Sequence, residues 1–409
     1  MLKINGARLW DSLMEMAKIG ATPEGGVSRV AVSEEDRLGR DLLRSWATPL
    51  VEDYHFDEVG NMFFVRHGLQ PGSPMILTGS HLDTQIHGGR FDGAFGVMAG
   101  LEVLRTLAEE DVRLPYGIGL VAWTNEEEAR YCPAMGSAVF VGKQNLQSAL
   151  DCVGLNGKVF GEELKKIGYL GSPLNLNISA YLEAHIEQGP VLENEEIQIG
   201  VVSGAQGQIA MNAEIIGEAG HSGTVPMRLR KDALVCAIDV INTCRDLVVE
   251  EGKGVITVGA FKLEPNSRTT IPDKISFGID LRHPDADSLQ NLQNLINKKI
   301  KEKAAEHCCQ ERIEVLFHKE PVVFTDSCVE SVQSASDQLK YSSLVMPSGA
   351  FHDACLLASQ VPTGMIFVPS QKGVSHNPTE YSSSEQLEKG ANVLLHALLN
   401  LAEKGVPLS

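Results

Sequence analysis

The chain has 409 residues, 43% of them hydrophobic and 22% charged, with a net charge of −18, a size for two or three domains with ordinary globular cores. That acidity argues against nucleic acid and anionic membranes as partners, although a local arginine or metal can still receive a small anion. No apolar run reaches the length of about 18 residues that spans a bilayer, and Met1-Leu2-Lys3-Ile4-Asn5-Gly6 lacks the apolar core of a secretion signal. The eight cysteines follow neither disulfide-framework nor zinc-finger spacing, and Cys308-Cys309 is vicinal, so reduced thiols in a cytoplasmic protein are expected.

Strand and helix patterns alternate along the chain. Glu34 to Trp46 reads as an amphipathic helix, and Asn61–Arg66 and Pro74–Gly79 as strands, the second carrying the apolar run Met75-Ile76-Leu77. After Asp92, Gly93–Leu101 reads as a helix of small residues suited to close packing. Gly117–Trp123 is an apolar strand that delivers Asn125-Glu126-Glu127 to its carboxyl end, where open α/β sheets place their sites. Ser179–Glu183 and Glu196–Ser203 read as further strands.

From about residue 210 the texture changes. Strand Ile209–Ile216, helix Arg230–Glu250, strands Val255–Leu263 and Lys274–Leu281, helix Asp287–Glu306 and strand Glu311–His318 follow one another. That β-α-β-β-α-β order is the ferredoxin-like signature. It predicts a smaller domain, 210–322, inserted into a larger one made of 1–209 and 323–409. The larger domain resumes with a helix at Val329–Leu339 and a strand at Met365–Pro369. It ends in a helix near Glu385–Glu403, with Ser382 and Glu385 at capping-box spacing.

The candidate chemistry lies at strand ends and glycine turns. His81 and Asp83 stand two apart after a strand, so on extended chain they share a side. Asp92 sits in a Gly88–Gly93 turn, where it could bridge two cations or merely cap a helix. Glu126-Glu127-Glu128 leaves an apolar strand, and His185 and His376 follow other strands. Each piece alone fits a structural role. Together they form an imidazole and carboxylate donor set without thiolate, suited to one or two divalent cations. A glutamate beside a ligating glutamate could serve as a base for activating water.

These pieces resemble the M20 metallopeptidase family, specifically its hydantoinase/carbamoylase branch. The branch holds N-carbamoyl-L-amino-acid hydrolases, β-ureidopropionases, and allantoate and ureidoglycolate amidohydrolases. The similarity runs over nearly the full length, through GSHLDT (79–84), GGRFDG (88–93), NEE (125–127), AHIEQGPVLE (184–193), GAQGQ (204–208), AGHSGTVPMRLRKDAL (219–234), IDLR (279–282) and MIFVPSQKGVSHNPTEY (365–381). The wider family usually has an acidic ligand where this branch has the histidine of AHIEQGP. The resemblance implies an aminopeptidase-like α/β/α catalytic domain with an inserted α+β domain that dimerises and closes as a lid. It also implies two divalent cations, zinc or manganese with cobalt or nickel as alternatives. His81, Asp92 and His185 would surround one, and Asp92, Glu127 and His376 the other. Asp83 would orient His81, and Glu126 would be the general base. His221 would reach the partner subunit's site and stabilise an oxyanion. Arg282 would grip the substrate carboxylate, and Gln188 would contact the ureido or amide group.

Three departures touch substrate positions. The branch's Asn-Glu-Glu-Gly-Ser-Arg-Phe is here Asn125-Glu126-Glu127-Glu128-Ala129-Arg130-Tyr131, adding Glu128 at the pocket wall. Its Asn-Val-Ile-Pro is Thr269-Thr270-Ile271-Pro272, so Thr269 replaces a carboxylate-binding amide. Its Gly-Ala-Gly-His-Asp is Gly349-Ala350-Phe351-His352-Asp353, placing the Phe351 ring near the pocket. No expected ligand or base is lost. The expectation is a homodimeric amidohydrolase acting on an N-carbamoyl-L-amino acid or an allantoate- or ureidoglycolate-type substrate. An M20 dipeptidase or N-acyl-amino-acid hydrolase, and an inactive small-molecule binder, are the other readings.

Overall fold

Four apolar runs lie side by side as parallel strands, in the order Gly117–Trp123, Met75–His81, Ile178–Ile186 and Thr363–Val368. Almost every residue in them is buried, because parallel strands are covered on both faces and so lack an alternating pattern. Antiparallel neighbours extend the sheet, with Met62–Arg66 and then Asp53–Phe56 on one side and Ile199–Ala205 on the other. The computed structural model describes residues 1–405, in two units: Met1–Gly204 with the chain from Val323 onward, and Ala205–Val322. No helix among the described residues is long and apolar enough to cross a membrane.

The helix Ala94–Glu109 fixes the geometry of the first unit. A Cβ on Gly96 would lie 2.4 Å from the Ala184 carbonyl oxygen and 2.7 Å from the Ser80 Cβ; one on Gly100 would lie 2.7 Å from Leu120 Cδ1. The small residues therefore let this helix rest directly on the two strands that carry His81 and His185. Asp92 is delivered beside both. The C-terminal helix Ser384–Lys404 packs on the same core through Leu387, Ala391, Leu394 and Leu398. Its capping box lies one residue beyond the expected pair: Ser383 accepts from the Gln386 amide, and Gln386 reaches back to Ser383. An N-terminal helix, Gly6–Met16, is also present; its periodicity was not among the predicted elements.

The second unit is a four-stranded antiparallel sheet, ordered Gln310–Lys319, Gly207–Ile216, Lys274–His283, Val255–Glu264. Helices Ala233–Glu251 and Ala286–Glu306 complete the ferredoxin-like arrangement. Its two central strands alternate in burial, and Ile209, Met211, Ile215, Ile275, Phe277 and Leu281 meet Val240, Ile296 and Ile300 of the helices. Each such side chain contributes roughly 1.5–3 kcal/mol on burial.

Gly96→Val is expected to force the helix away from Ala184 and Ser80 and to destabilise the protein by about 1–3 kcal/mol or more. Equilibrium urea unfolding checks this, and an unchanged midpoint would contradict the packing argument.

Candidate metal centre and hydrolytic site

The carboxyl ends of the four parallel strands converge on one place. His81 ends strand Met75–His81, and His185 lies near the end of Ile178–Ile186. Asn125-Glu126-Glu127 follows Gly117–Trp123, and His376 lies in the turn after Thr363–Val368. The loop after Trp123 is closed by main-chain bonds from Gly136 to Thr124, Met135 to Asn125 and Ala134 to Glu126. Asn125 adopts φ +55° and donates its side-chain amide to the Cys132 carbonyl at 2.6 Å. This tight turn presents the two following glutamates together.

Asp92 stands at the centre. Its Oδ1 lies 3.2 Å from His185 Nε2 and 3.8 Å from His81 Nε2, and its Oδ2 lies 3.3 Å from His376 Nε2. His376 Nε2 is in turn 3.6 Å from Glu127 Oε2. One carboxylate thus faces two donor groups, one oxygen to each: His81 with His185, and His376 with Glu127. In both trios, donor atoms lie within 4.8 Å of one another. Two rings are pre-aimed, because Nδ1 of His81 bonds the Asp83 carbonyl at 2.9 Å and Nδ1 of His185 bonds the Ile186 carbonyl at 2.9 Å. That leaves Nε2 of each as the atom that could ligate a cation. Gly93, with φ +63°, is needed here, since a Cβ would meet the His81 ring at 2.3 Å.

The electrostatics fit the same donor set. Burial and the charge of Asp92 push Glu127 up to about 8. Burial and the charge of Asp353 push Glu126 well above the usual carboxylate range. Burial opposes charge on His185, yet hydrogen bonding to Asp92 raises it to about 9; His376, bonded to the same carboxylate, also rises to about 9. Asp92 is held well below its ordinary value by those two rings despite its burial. His81, dominated by burial, falls to about 4. Without other cations, imidazolium protons compensate Asp92, in positions where divalent ions would do so. The oxygen and imidazole donors present suit such ions.

Several expected residues sit elsewhere than expected. The Asp83 carboxylate lies 3.9 Å from His81 Nδ1, while its oxygens accept the amides of Glu126 at 3.3 Å and Glu127 at 3.1 Å. It holds the turn that carries Glu126 and Glu127, and its main-chain oxygen orients His81. Gln188, at φ +58°, directs its amide to Asp92 Oδ2 at 2.9 Å and Ser375 Oγ at 3.2 Å. Glu128 is exposed, and Phe351 is 44% exposed in the loop before helix Asp353–Leu357. Glu126 Oε2 lies 3.6 Å from His81 Nε2.

In the second unit, Thr270 pairs with His221 and the Thr269 carbonyl accepts from Ser222, so Thr269 and His221 are neighbours. Both leave the sheet at the end where Lys274 pairs with Ile216. Arg282 lies at the other end of the same strand, paired with Gln208 and bonded to Asp280 at 2.8 Å. Eight residues of extended chain, roughly 26 Å, separate Arg282 from Lys274. The strand therefore carries Thr269 and Arg282 of one chain to opposite ends.

The candidate residues did not include a buried set behind the ligands. Glu183 accepts from Ser80 at 2.7 Å and the Ala354 amide at 2.9 Å, Asp353 accepts from Ser137, and His352 is 4.5 Å from the His185 ring. Glu183, His185 and His352 form a third trio of potential ligands, but His185 Nδ1 is already engaged by Ile186. Glu183 precedes His185 by two on one strand, a spacing visible in the sequence; Asp353 has no comparable local signal.

A family model described as peptidase family M20/M25/M40 matches residues 77–400. The chain belongs to that family. Within this metal-dependent family it falls in the hydantoinase/carbamoylase branch. It is 41% identical over 408 residues to an N-carbamoyl-L-amino-acid amidohydrolase from Rhizobium meliloti, covering 98% of this chain and 97% of that one. It is 31% identical over 403 residues to the allantoate amidohydrolase of Escherichia coli, covering 96% and 97%. A crystal structure of a hydantoinase/carbamoylase family amidase from Burkholderia multivorans superposes with a TM-score of 0.94 at 42% identity, covering 98% of both chains.

Metal binding should strengthen as pH rises from 6.5 to 8.5. The metal-free protein holds protons on His185 and His376 up to about 9 and on Glu127 up to about 8, and these must leave before the atoms can ligate. Titration calorimetry with manganese in buffers of different ionisation enthalpy measures the proton release directly. Equal affinity at both pH values, with no release, would contradict this account.

Proposed function

We propose that the protein is a homodimeric amidohydrolase with two divalent cations per subunit. It cleaves the linear ureido C–N bond of a small carboxylate, best an N-carbamoyl-L-amino acid, to yield the L-amino acid, carbon dioxide and ammonia. The observation that carries this reading is Asp92, whose two oxygens face two separate donor groups 3.2–3.8 Å away. Its relatives named N-carbamoyl-L-amino-acid amidohydrolase support the substrate class. Free cysteines throughout the described residues fit a reducing, cytoplasmic setting.

His81 and His185 would hold one cation and Glu127 and His376 the other, with Asp92 shared; zinc and manganese suit these donors best, and cobalt or nickel also fit. Such ions, when bound, supply Lewis acidity that polarises the substrate carbonyl and acidifies water. Glu126 then acts as the base: it takes a proton at its carboxylate from the attacking water and returns it to the leaving nitrogen. Asp83 keeps that glutamate in place through its main-chain amide. Gln188 orients the ureido group once its hold on Asp92 relaxes. Thr269 and Phe351 shape the pocket, and Glu128 adds charge at its rim. Arg282 and the pair His221 and Thr269 lie at opposite ends of one strand. That separation supports a composite site in which His221, with Thr269, comes from the partner while Arg282 is the subunit's own.

Ammonia release from a panel of N-carbamoyl-L-amino acids, allantoate and ureidoglycolate, on manganese-loaded protein, tests the reaction. Glu126→Gln should lower turnover by about 10²–10⁴-fold. Silence across the panel with metal bound would remove the carbamoylase assignment.

Mixing inactive His221→Ala and Arg282→Ala proteins should restore about a quarter of wild-type activity, because mixed dimers carry one intact composite site. No recovery after demonstrated subunit exchange would refute the exchange of residues.

A further inference from the structure

Resting on the metal-centre reading above, we propose that Glu380 is the positioning residue of the site: it locks the main chain at Asp92 and aims the shared carboxylate, and position 89 is glycine to make room for it. Glu380 is 3% exposed, and one carboxylate oxygen accepts two consecutive main-chain amides, from Phe91 at 2.9 Å and from Asp92 at 3.1 Å. Its other oxygen is 3.0 Å from Ser375 Oγ, which is also 3.0 Å from Asp92 Oδ2. A single side chain therefore holds Asp92 through its N–H and shares with the Asp92 carboxylate the one hydroxyl of Ser375. Ser375 precedes His376, so Glu380 also joins the two chain segments that bring together Asp92 and His376, ligand groups more than 280 residues apart in sequence.

The Gly88-Gly89 motif has its explanation here. A Cβ on Gly89 would lie 2.0 Å from Glu380 Oε1, 2.1 Å from its Cδ and 2.5 Å from its Cβ. Gly89 does not have a positive φ, so space rather than backbone conformation excludes a side chain. Glu380, buried and bonded on both oxygens, has nowhere to retreat. Any residue larger than glycine at position 89 must displace it, and with it the amides of Phe91 and Asp92.

Calorimetric titration of the metal-free protein with manganese, alongside circular dichroism to verify folding, tests the proposal. Glu380→Ala should weaken cation binding about 10–100-fold, the usual effect of removing a group that orients a ligand. Glu380→Gln keeps an oxygen for the two amides and should recover most of the affinity. Gly89→Ala should weaken binding like Glu380→Ala, and the double variant should be no worse than Glu380→Ala, because the clash vanishes with the side chain. At limiting manganese the variants should lose kcat with KM retained, and excess manganese should restore it. Wild-type affinity in both Glu380→Ala and Gly89→Ala would overturn the assignment. Should Glu380→Ala fail to fold, equal affinity of Gly89→Ala and Glu380→Gln would overturn it. If wild type itself binds no metal, the metal-centre reading fails instead.

Discussion

Seven carboxyl groups crowd the carboxyl ends of the parallel strands: Asp83, Asp92, Glu127, Glu183, Asp353 and Glu380 are buried, and Glu126 lies nearly so beside them. Concentrating negative charge away from water is unfavourable unless each charge is neutralised, paired or bound to a cation. The metal-free chain meets this constraint with protons. Glu126, Glu127, Glu183 and Asp353 are all raised, while Asp92 keeps its charge against two protonated imidazoles. Cations at the same points would relieve the strain on all of them at once, so ligand placement, protonation and the choice of a dry sheet end are aspects of one electrostatic arrangement.

The back of the site solves its share of the problem differently. Arg29, only 1% exposed, donates to the carbonyls of Leu82 and Met16, and its main-chain amide donates to Thr84. Arg40, also buried, pairs with Asp36 at 2.9 Å and reaches Gly60 and Thr124. Each guanidinium makes three hydrogen bonds in a fixed fork, which suits a scaffold. At the front, imidazole donors converge on the Asp92 carboxylate at 3.2–3.8 Å. Rigid cations hold the loops on which His81, Asp83 and Glu126 stand.

The second unit has a hydrophobic core of its own. Its one-sided sheet needs only its two helices for a core, which leaves the ends of its strands free to carry His221, Thr269 and Arg282. A strand presents residues far apart along its length, so its two ends naturally serve two places. The substitutions that separate this chain from the commoner pattern of its branch, at 128, 269 and 351, all fall on exposed or loop positions. None disturbs the buried charge cluster.

The candidate donors were legible as a group because each sits beside a strand signal or glycine turn of its own, His81 after an apolar run, Asp92 among glycines and Glu127 after another apolar run, while their division into two trios came from the family resemblance. The ferredoxin-like order was equally legible, since periodicity and element order are local properties. Position across the fold was not. Asp83 was expected to turn its carboxylate to His81, and the tertiary structure gave that carboxylate to the amides of Glu126 and Glu127 instead. Thr269 and Arg282 are thirteen apart in sequence, yet an extended strand carries them to opposite ends of a sheet. Glu380 carries no local mark at all; its contacts with Phe91 and Asp92 span nearly 290 residues. Residue type and spacing determined which groups could bind metal and which elements bear them. Only the packing of helix Ala94–Glu109 onto its strands, and the closure of the C-terminal turn over it, decided how those groups face one another, because long-range contacts leave no periodic trace in the chain.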